Sequence, residues 1–303
     1  MPEPTRPLHL AVALDRPGTY DAEPFVRAAR LAERGRLDFV TLGDSFGPPR
    51  RGAGRLDAAA VLARVAPATE RIGLVPTVTT THTEPFRLSA SLAALDWVSR
   101  GRAGWTVAVS ASESEARLFG RRPVPSAEAA WREADAVADA AARSWGPQGH
   151  PVVAVEAITP PSRRFAARHA DVAFVRAGHA GDARTVRAAR DDLRRRARET
   201  GRDPAAARGR LVVLASLPVA LYAAADAVAL ADLVGDWYAD GVADGFHFRP
   251  RNPERDLALL VDGTVPVLQH RGLLRGFYPG GTLREHLCLS RPAKRRAPAR
   301  ETT

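Results

Sequence analysis

The sequence contains few cysteine, lysine and aromatic residues and no long apolar run. Its 303 residues include one cysteine, Cys288, so no intramolecular disulfide framework can form. Lys294 is the only lysine, and aromatic residues make up 6% of the chain. No apolar run reaches the roughly 18 residues that a membrane span requires, and the opening MPEPTRPLHL lacks the apolar core of a secretory signal. We therefore expect a cytoplasmic protein that does not enter membranes.

The formal net charge is +10, and almost all of the positive charge is arginine. Such a balance can indicate nucleic-acid binding, but these arginines are spread through alanine-rich segments instead of forming one basic stripe. Solvated helix faces explain that distribution, so we expect no nucleic-acid partner. Residues 290–303 form a basic stretch with proline and alanine, and we predict that this tail is disordered.

Short apolar runs alternate with longer segments of helical periodicity along the chain. The predicted strands are residues 8–14, 38–42, 72–78, 102–109, 152–155, 171–175, 211–217 and 244–248. The predicted helices are residues 21–34, 57–68, 85–98, 126–145, 161–169 and 182–200, a segment that ends near 238, and residues 256–271. Residues 111–125 are predicted to be a loop. An open doubly wound sheet gives a similar alternation, but eight repeats without a glycine-rich dinucleotide turn favour a (β/α)8 TIM barrel over residues 1–289.

Active sites of such barrels lie at the carboxyl ends of the strands, so the polar residues there are candidates. They are Asp44, Ser45, Thr79, Thr80, Thr81, His82, Glu84, Thr106, Ser110, Glu156, Thr159, Arg176, His179, His247 and Arg249. His82 and Glu84 lack an evident third ligand, so no metal site is predicted. Neither a nucleophile elbow nor a phosphate-binding loop is present, so a cofactor would have to supply the chemistry. The threonines can also be ordinary strand residues, Asp44 a loop cap, and His247 a histidine of the barrel interior.

Residues 71–110 carry a specific pattern: a strand ending in Thr-Thr, then His-Thr-Glu-Pro, an Ala-Ser-Leu helix, and Gly-Arg-Ala-Gly-Trp. With Leu37–Val40, Asp44-Ser45, and the segments 265–275 and 282–287, this stretch resembles the bacterial luciferase-like monooxygenases. The most similar branch contains the nitrilotriacetate, EDTA, alkane and dibenzothiophene-sulfone monooxygenases. The resemblance covers most of residues 8–289.

The resemblance implies a barrel that binds reduced FMN from a separate NAD(P)H:flavin reductase and uses O2 to oxidise a small organic substrate. It also implies a homo-oligomer and a non-proline cis peptide bond between Thr79 and Thr80. The implied cofactor-binding residues are Asp44, Thr79, Thr80, Thr106, Ser110, Trp131 and Thr159. His82 and His247 are the catalytic candidates.

The chain departs from the family pattern at several positions. Thr106 replaces an asparagine, and Trp131 replaces a tyrosine that reaches the flavin phosphate. Residues 157–160 (Ala-Ile-Thr-Pro) replace the glycine and serine that hold the phosphate. The family's long insertion between the fourth predicted helix and the fifth strand is reduced to residues 145–151. Two alternatives follow: a degenerate, non-catalytic subunit or binding protein, and an oxidoreductase that uses the deazaflavin F420.

Overall fold

Eight parallel strands close into a barrel in sequence order, which confirms the predicted (β/α)8 architecture. The computed structural model describes residues 7–16, 18–47, 54–145, 150–203 and 209–290. The predicted tail therefore lies outside the described residues, apart from Ser290. The strands are β1 His9–Ala13, β2 Phe39–Leu42, β3 Gly73–Thr79, β4 Gly104–Ala108, β5 Val152–Glu156, β6 Val172–Arg176, β7 Val212–Val219 and β8 Gly245–Pro250.

The helices alternate with these strands, as the apolar periodicity predicts. They are α1 Glu23–Arg34, α2 Ala58–Val65, α3 Pro85–Val98, α4 Glu113–Phe119, α5 Ala127–Ser144, α6 Pro160–His169, α7 Ala183–Glu199, α8 Ala224–Ala239, α9 Arg255–Leu259, α10 Val265–His270 and α11 Leu283–His286. Within the described residues, no helix is both long enough and apolar enough to cross a membrane. The segment between α5 and β5 is residues 145–151, as short as predicted.

Two predicted elements were wrong. The segment predicted as a loop after the fourth strand contains α4, which Ser112 caps through its side chain and which ends at Gly120 in the left-handed region. The single last helix is instead α9, a π-helical segment at Leu260–Thr264, and α10. Because Pro266 has no N–H, a regular helix would lose a bond at this point, and the Val265 N–H bonds five residues back to Leu260.

The barrel interior is filled mainly by small and β-branched side chains together with the rings of Phe39, Phe174 and His247. Phe39 and Phe174 lie 6.2 Å apart between ring centroids inside the barrel. Leu283 and Leu287, from α11, pack against this interior cluster. Gly245 is required where β8 pairs with β1, because a Cβ there would lie 2.0 Å from the His9 carbonyl oxygen.

A buried ion pair lies where β2 begins. Arg275 donates a hydrogen bond of 2.8 Å to Asp38, which also accepts one of 2.8 Å from the Leu10 N–H. Burial alone would raise the pKa of Asp38, but the neighbouring Arg275 and His9 outweigh it and lower that pKa to about 2. At the amino ends of the strands, such residues serve stability and not chemistry.

Candidate active site

Two cavities lie where β2, β3 and β4 end, and both are lined by Asp44 and Thr77. The larger, of about 540 Å³, extends along the start of α3 and includes Thr79 and Arg87. The smaller, of about 380 Å³, extends past β4 to the β5–α6 corner. Both volumes fall within the range of small-molecule sites. Of the predicted cofactor-binding residues, the smaller cavity brings together Asp44, Thr106, Trp131 and Thr159.

Thr106 carries the clearest sign of a ligand. Its hydroxyl is buried and has no hydrogen-bond partner among the described residues, although it lines the smaller cavity. Thr77 stands beside it as its register partner in the β3–β4 pair and also lines that cavity. A buried hydroxyl without a partner is costly, so its position on a cavity indicates a polar ligand group.

Ser110 follows β4 and lines neither cavity. Its backbone N–H donates to the Thr81 hydroxyl at 3.0 Å, while its own hydroxyl is buried without a described partner. A second unpaired hydroxyl therefore lies just past the strand that carries Thr106.

Asp44 is held in place by three partners. Its carboxylate pairs with Arg55 at 2.9 Å and accepts the backbone N–H groups of Ser45 at 2.7 Å and Ala58 at 3.0 Å. The predicted loop cap and the predicted pocket residue are thus the same side chain. The two backbone contacts fix its orientation, and Arg55 balances its charge.

Thr79 and Thr80 differ in their access to the cavities. Thr79 lines the larger cavity, whereas Thr80 is fully buried and its hydroxyl donates to the Ala108 carbonyl at 3.2 Å. The expected cis bond between them was wrong: every described peptide bond is trans. The trans bond lets the Thr80 N–H donate to Ala108 at 2.9 Å, which extends the β3–β4 ladder, and it avoids the roughly 3 kcal/mol that a non-proline cis bond costs.

The β5–α6 corner supplies the far wall of the smaller cavity. Thr159 caps α6, Glu156 ends β5, and both line the cavity with Trp131 from α5. The Trp131 ring packs on Phe165, with ring centroids 5.3 Å apart. Glu156 pairs with Arg176 at 2.6 Å.

His82 lies beside the cavities on the turn after β3. Its backbone has a φ of 64°, in the left-handed region. The imidazole stacks on Phe119 of α4 with centroids 4.9 Å apart, and Phe46 packs edge-on against the same phenyl ring at 4.7 Å. Both ring nitrogens are covered and have no described partner. Burial lowers the pKa of His82, and the positive charge of Arg122 acts in the same direction, so the ring is neutral at pH 7.

His247 lies inside the barrel and lines neither cavity. Its Nε2 is 2.8 Å from the Thr41 hydroxyl and its Nδ1 is 3.0 Å from the Ser216 hydroxyl. The ring also packs on Phe174 at 4.5 Å. Burial lowers the pKa of His247 to about 3, and Arg249 contributes to that shift. Both nitrogens are therefore engaged, as in the alternative interpretation of an interior histidine.

Some residues of the cavities were missed by the sequence reasoning. Thr77, Arg55 and Arg87 line cavities without having been candidates. Thr77 could have been found, because Thr77 and Thr79 alternate along one strand and so share a face. Arg55 lies in a loop and Arg87 in the first turn of α3, and neither position is marked by the end of a strand. Among the described ranges, no three His, Cys, Asp or Glu side chains are grouped as metal ligands.

Comparison with known proteins identifies the family to which this chain belongs. The sequence matches the luciferase-like monooxygenase family over residues 8–260. It is 25% identical to nitrilotriacetate monooxygenase component A of Aminobacter aminovorans, in an alignment covering 90% of this chain and 91% of that protein. It is also 25% identical to dibenzothiophene-sulfone monooxygenase of Rhodococcus erythropolis, covering 87% and 89%. The two alignments span 414 and 406 positions, so both relatives carry segments that this chain lacks.

Solved structures show the same fold. EDTA monooxygenase EmoA from Chelativorans sp. BNC1 superimposes with a TM-score of 0.83 at 20% identity, covering 94% of this chain and 99% of that one. An F420-dependent secondary alcohol dehydrogenase in complex with an F420–acetone adduct superimposes with a TM-score of 0.66 at 13% identity, covering 85% and 98%. At these identities the superpositions support the barrel and not a cofactor.

Proposed function

Because the chain belongs to the luciferase-like monooxygenase family, we propose that it is a flavin-dependent monooxygenase acting on a small organic substrate. It would take reduced flavin from a separate NAD(P)H:flavin reductase and use O2 as oxidant. The name "component A" of the nitrilotriacetate relative supports a separate partner. The observation that carries the proposal is the unpaired, buried Thr106 hydroxyl on a cavity at the carboxyl ends of the strands.

The ring-side residues fit a flavin. A flavin ring is flat and apolar with polar edges, and this cavity combines Val107, Val109 and Trp131 with the Thr106 hydroxyl. Thr106 would bind a polar atom of the ring edge, and Asp44, already fixed by Arg55, would orient the ring from the β2 side. The bound flavin would supply the electrons with which O2 is reduced.

The two histidines would have different roles. His82, whose two covered ring nitrogens have no described partner and whose ring is neutral, is the proposed residue for holding or moving a proton. His247 would act as a positioning residue, because it fixes the hydroxyls of Thr41 and Ser216 beneath the site.

Anaerobic titration with reduced flavin tests the proposal most directly. We expect a dissociation constant in the micromolar range, and Thr106→Val should weaken binding by roughly tenfold, the worth of one buried hydrogen bond. Thr185→Val, at an exposed position on α7, is the matched control and should bind as the native protein does.

Three outcomes separate the alternatives. Flavin binding followed by reductase-dependent O2 consumption with substrate supports the monooxygenase. Binding of F420 alone would favour the deazaflavin oxidoreductase. Failure of reduced flavin and F420 to bind at tens of micromolar would favour the degenerate, non-catalytic role.

A further inference from the structure

The corner between β5 and α6 faces the smaller cavity with the amino-terminal end of a helix. Thr159 and Ser162, from the first turn of α6, both line that cavity. Phosphate groups bind at this face of a barrel through free backbone N–H groups of such a helix end. The partners of those N–H groups therefore determine whether the corner can hold a phosphate.

Every backbone N–H in residues 157–163 is either missing or already bonded. Pro160 and Pro161 occupy the first positions of α6 and have no N–H to donate. The remaining N–H groups donate within the protein: Ala157 to Phe174 O at 2.9 Å, Ile158 to Glu156 O at 3.0 Å, Thr159 to Ser162 Oγ at 3.0 Å, Ser162 to Thr159 Oγ1 at 3.4 Å, and Arg163 to Thr159 O at 2.9 Å.

The two hydroxyls of this turn are engaged in the same way. Ser162 Oγ donates to the Thr159 carbonyl at 3.0 Å, and Thr159 Oγ1 lies 3.2 Å from Ser162 Oγ. This reciprocal capping satisfies the end of the helix from within. An anion arriving there would have to break bonds instead of completing them.

The charges at the corner also disfavour a phosphate. The Glu156 carboxylate lines the cavity and is about two-fifths exposed, with a side-chain accessibility of 39%. The arginines of β6 and of the start of α6 already have partners. Arg176 pairs with Glu156 at 2.6 Å, Arg164 with Glu128 at 2.5 Å, and Arg163 donates to the Ala157 carbonyl at 3.2 Å.

We propose that this chain recognises a flavin without using its 5′-phosphate, so that riboflavin binds as tightly as FMN. The inference rests on the proposed function, since it specifies which flavin the same cavity takes. The ring side keeps an unpaired hydroxyl at Thr106, whereas the α6 end offers no free donor and presents a carboxylate. Each charge-assisted hydrogen bond to a phosphate normally contributes about tenfold or more in affinity, and this corner forgoes that contribution.

The test is to titrate the full chain anaerobically with reduced riboflavin and, in parallel, with reduced FMN, and to measure both dissociation constants by isothermal titration calorimetry. We expect the two dissociation constants to agree within about threefold, and FMN binding to change little with salt because no cation is paired with the phosphate. FMN binding more than about tenfold tighter than riboflavin would overturn the inference and leave the proposed function intact. Failure of both flavins to bind would overturn both.

Glu156→Gln provides a second, independent test. It removes the carboxylate and frees Arg176, so FMN affinity should rise by about threefold to tenfold while riboflavin affinity stays unchanged. Glu128→Gln is the matched control, because it frees Arg164 in the same way but does not line the cavity. Equal changes for both flavins in Glu156→Gln would contradict the phosphate argument. An FMN advantage abolished by Arg87→Gln would assign the phosphate to the larger cavity and would also overturn it.

Discussion

Replacing His247 with glutamine tests how much the buried imidazole contributes to the unfolding free energy. Glutamine can still donate to and accept from the hydroxyls of Thr41 and Ser216, but it cannot take up a proton. At pH 7 we expect the variant to lose about 1–3 kcal/mol of unfolding free energy, through imperfect packing against Phe174 and two altered hydrogen bonds. That cost should then depend on pH.

The sign follows from the lowered pKa of His247, which is about 3 in the folded protein. An unfolded histidine has a pKa of about 6.5, so between these values the unfolded chain binds a proton that the folded chain does not. The contribution of His247 to the unfolding free energy is therefore fully present above pH 6.5 and falls by about 1.4 kcal/mol per pH unit below it. From pH 7 to pH 4.5 the native protein should lose about 2.5 kcal/mol that the glutamine variant keeps.

Urea unfolding of both proteins at pH 7 and pH 4.5 measures this difference, because the contributions of all other titrating groups cancel between them. The cost of His247→Gln should shrink by about 2.5 kcal/mol at the lower pH and can change sign. His270→Gln, at an exposed position in α10, is the matched control for the exchange of a histidine for a glutamine. A cost that is equal at both pH values would show that His247 is not held neutral by burial.

Three further outcomes follow from described contacts. Thr106→Val should change the unfolding free energy of the flavin-free protein by less than about 1 kcal/mol or stabilise it, since no partner is lost; urea unfolding checks this. Arg102→Lys should cost about 3 kcal/mol in the same assay, because Arg102 donates five hydrogen bonds, four to residues 66–72 between α2 and β3 and one to Ser99 at the end of α3. Asp38→Asn should cost about 3–5 kcal/mol at pH 7 by leaving Arg275 without its carboxylate, and the cost should shrink as the pH falls from 3.8 toward the Asp38 pKa of about 2.

The barrel could be predicted because buried parallel strands give a strong signal in the sequence. Runs such as 211–215 are continuous and apolar, and each is separated from the next by a segment long enough for a helix. The helix α4 shows no apolar periodicity of this kind, because only one of its seven side chains, that of Ala116, is buried. Pro266 marks the interruption before α10 in the sequence, but a proline alone does not predict that the preceding turn becomes π-helical.

The candidate site was partly predictable for the same reason. Strand ends are visible in the sequence, so Asp44, Thr106 and Thr159 could be placed on one face of the barrel before their contacts were known. Whether a hydroxyl is free or bonded depends on three-dimensional neighbours. The Thr106 hydroxyl is unpaired and the Thr80 hydroxyl is bonded, although Thr106 lies within β4 and Thr80 directly follows the adjacent strand β3. The peptide geometry at Thr79–Thr80 was likewise set by pairing with Ala108.

The aromatic stack beside the cavities has a consequence for how the rim of this barrel can vary. Phe119 contacts Phe46 from the segment after β2 and His82 from the turn after β3, so three connections meet at one phenyl ring. Loops of a barrel are ordinarily exchangeable one at a time, because each is anchored only by its own strand and helix. Here a graft that replaces Phe119 would remove the ring contact of both other connections, and a graft of either of those would remove one ring contact from Phe119. Evolution or engineering of this rim would therefore have to replace these loops together.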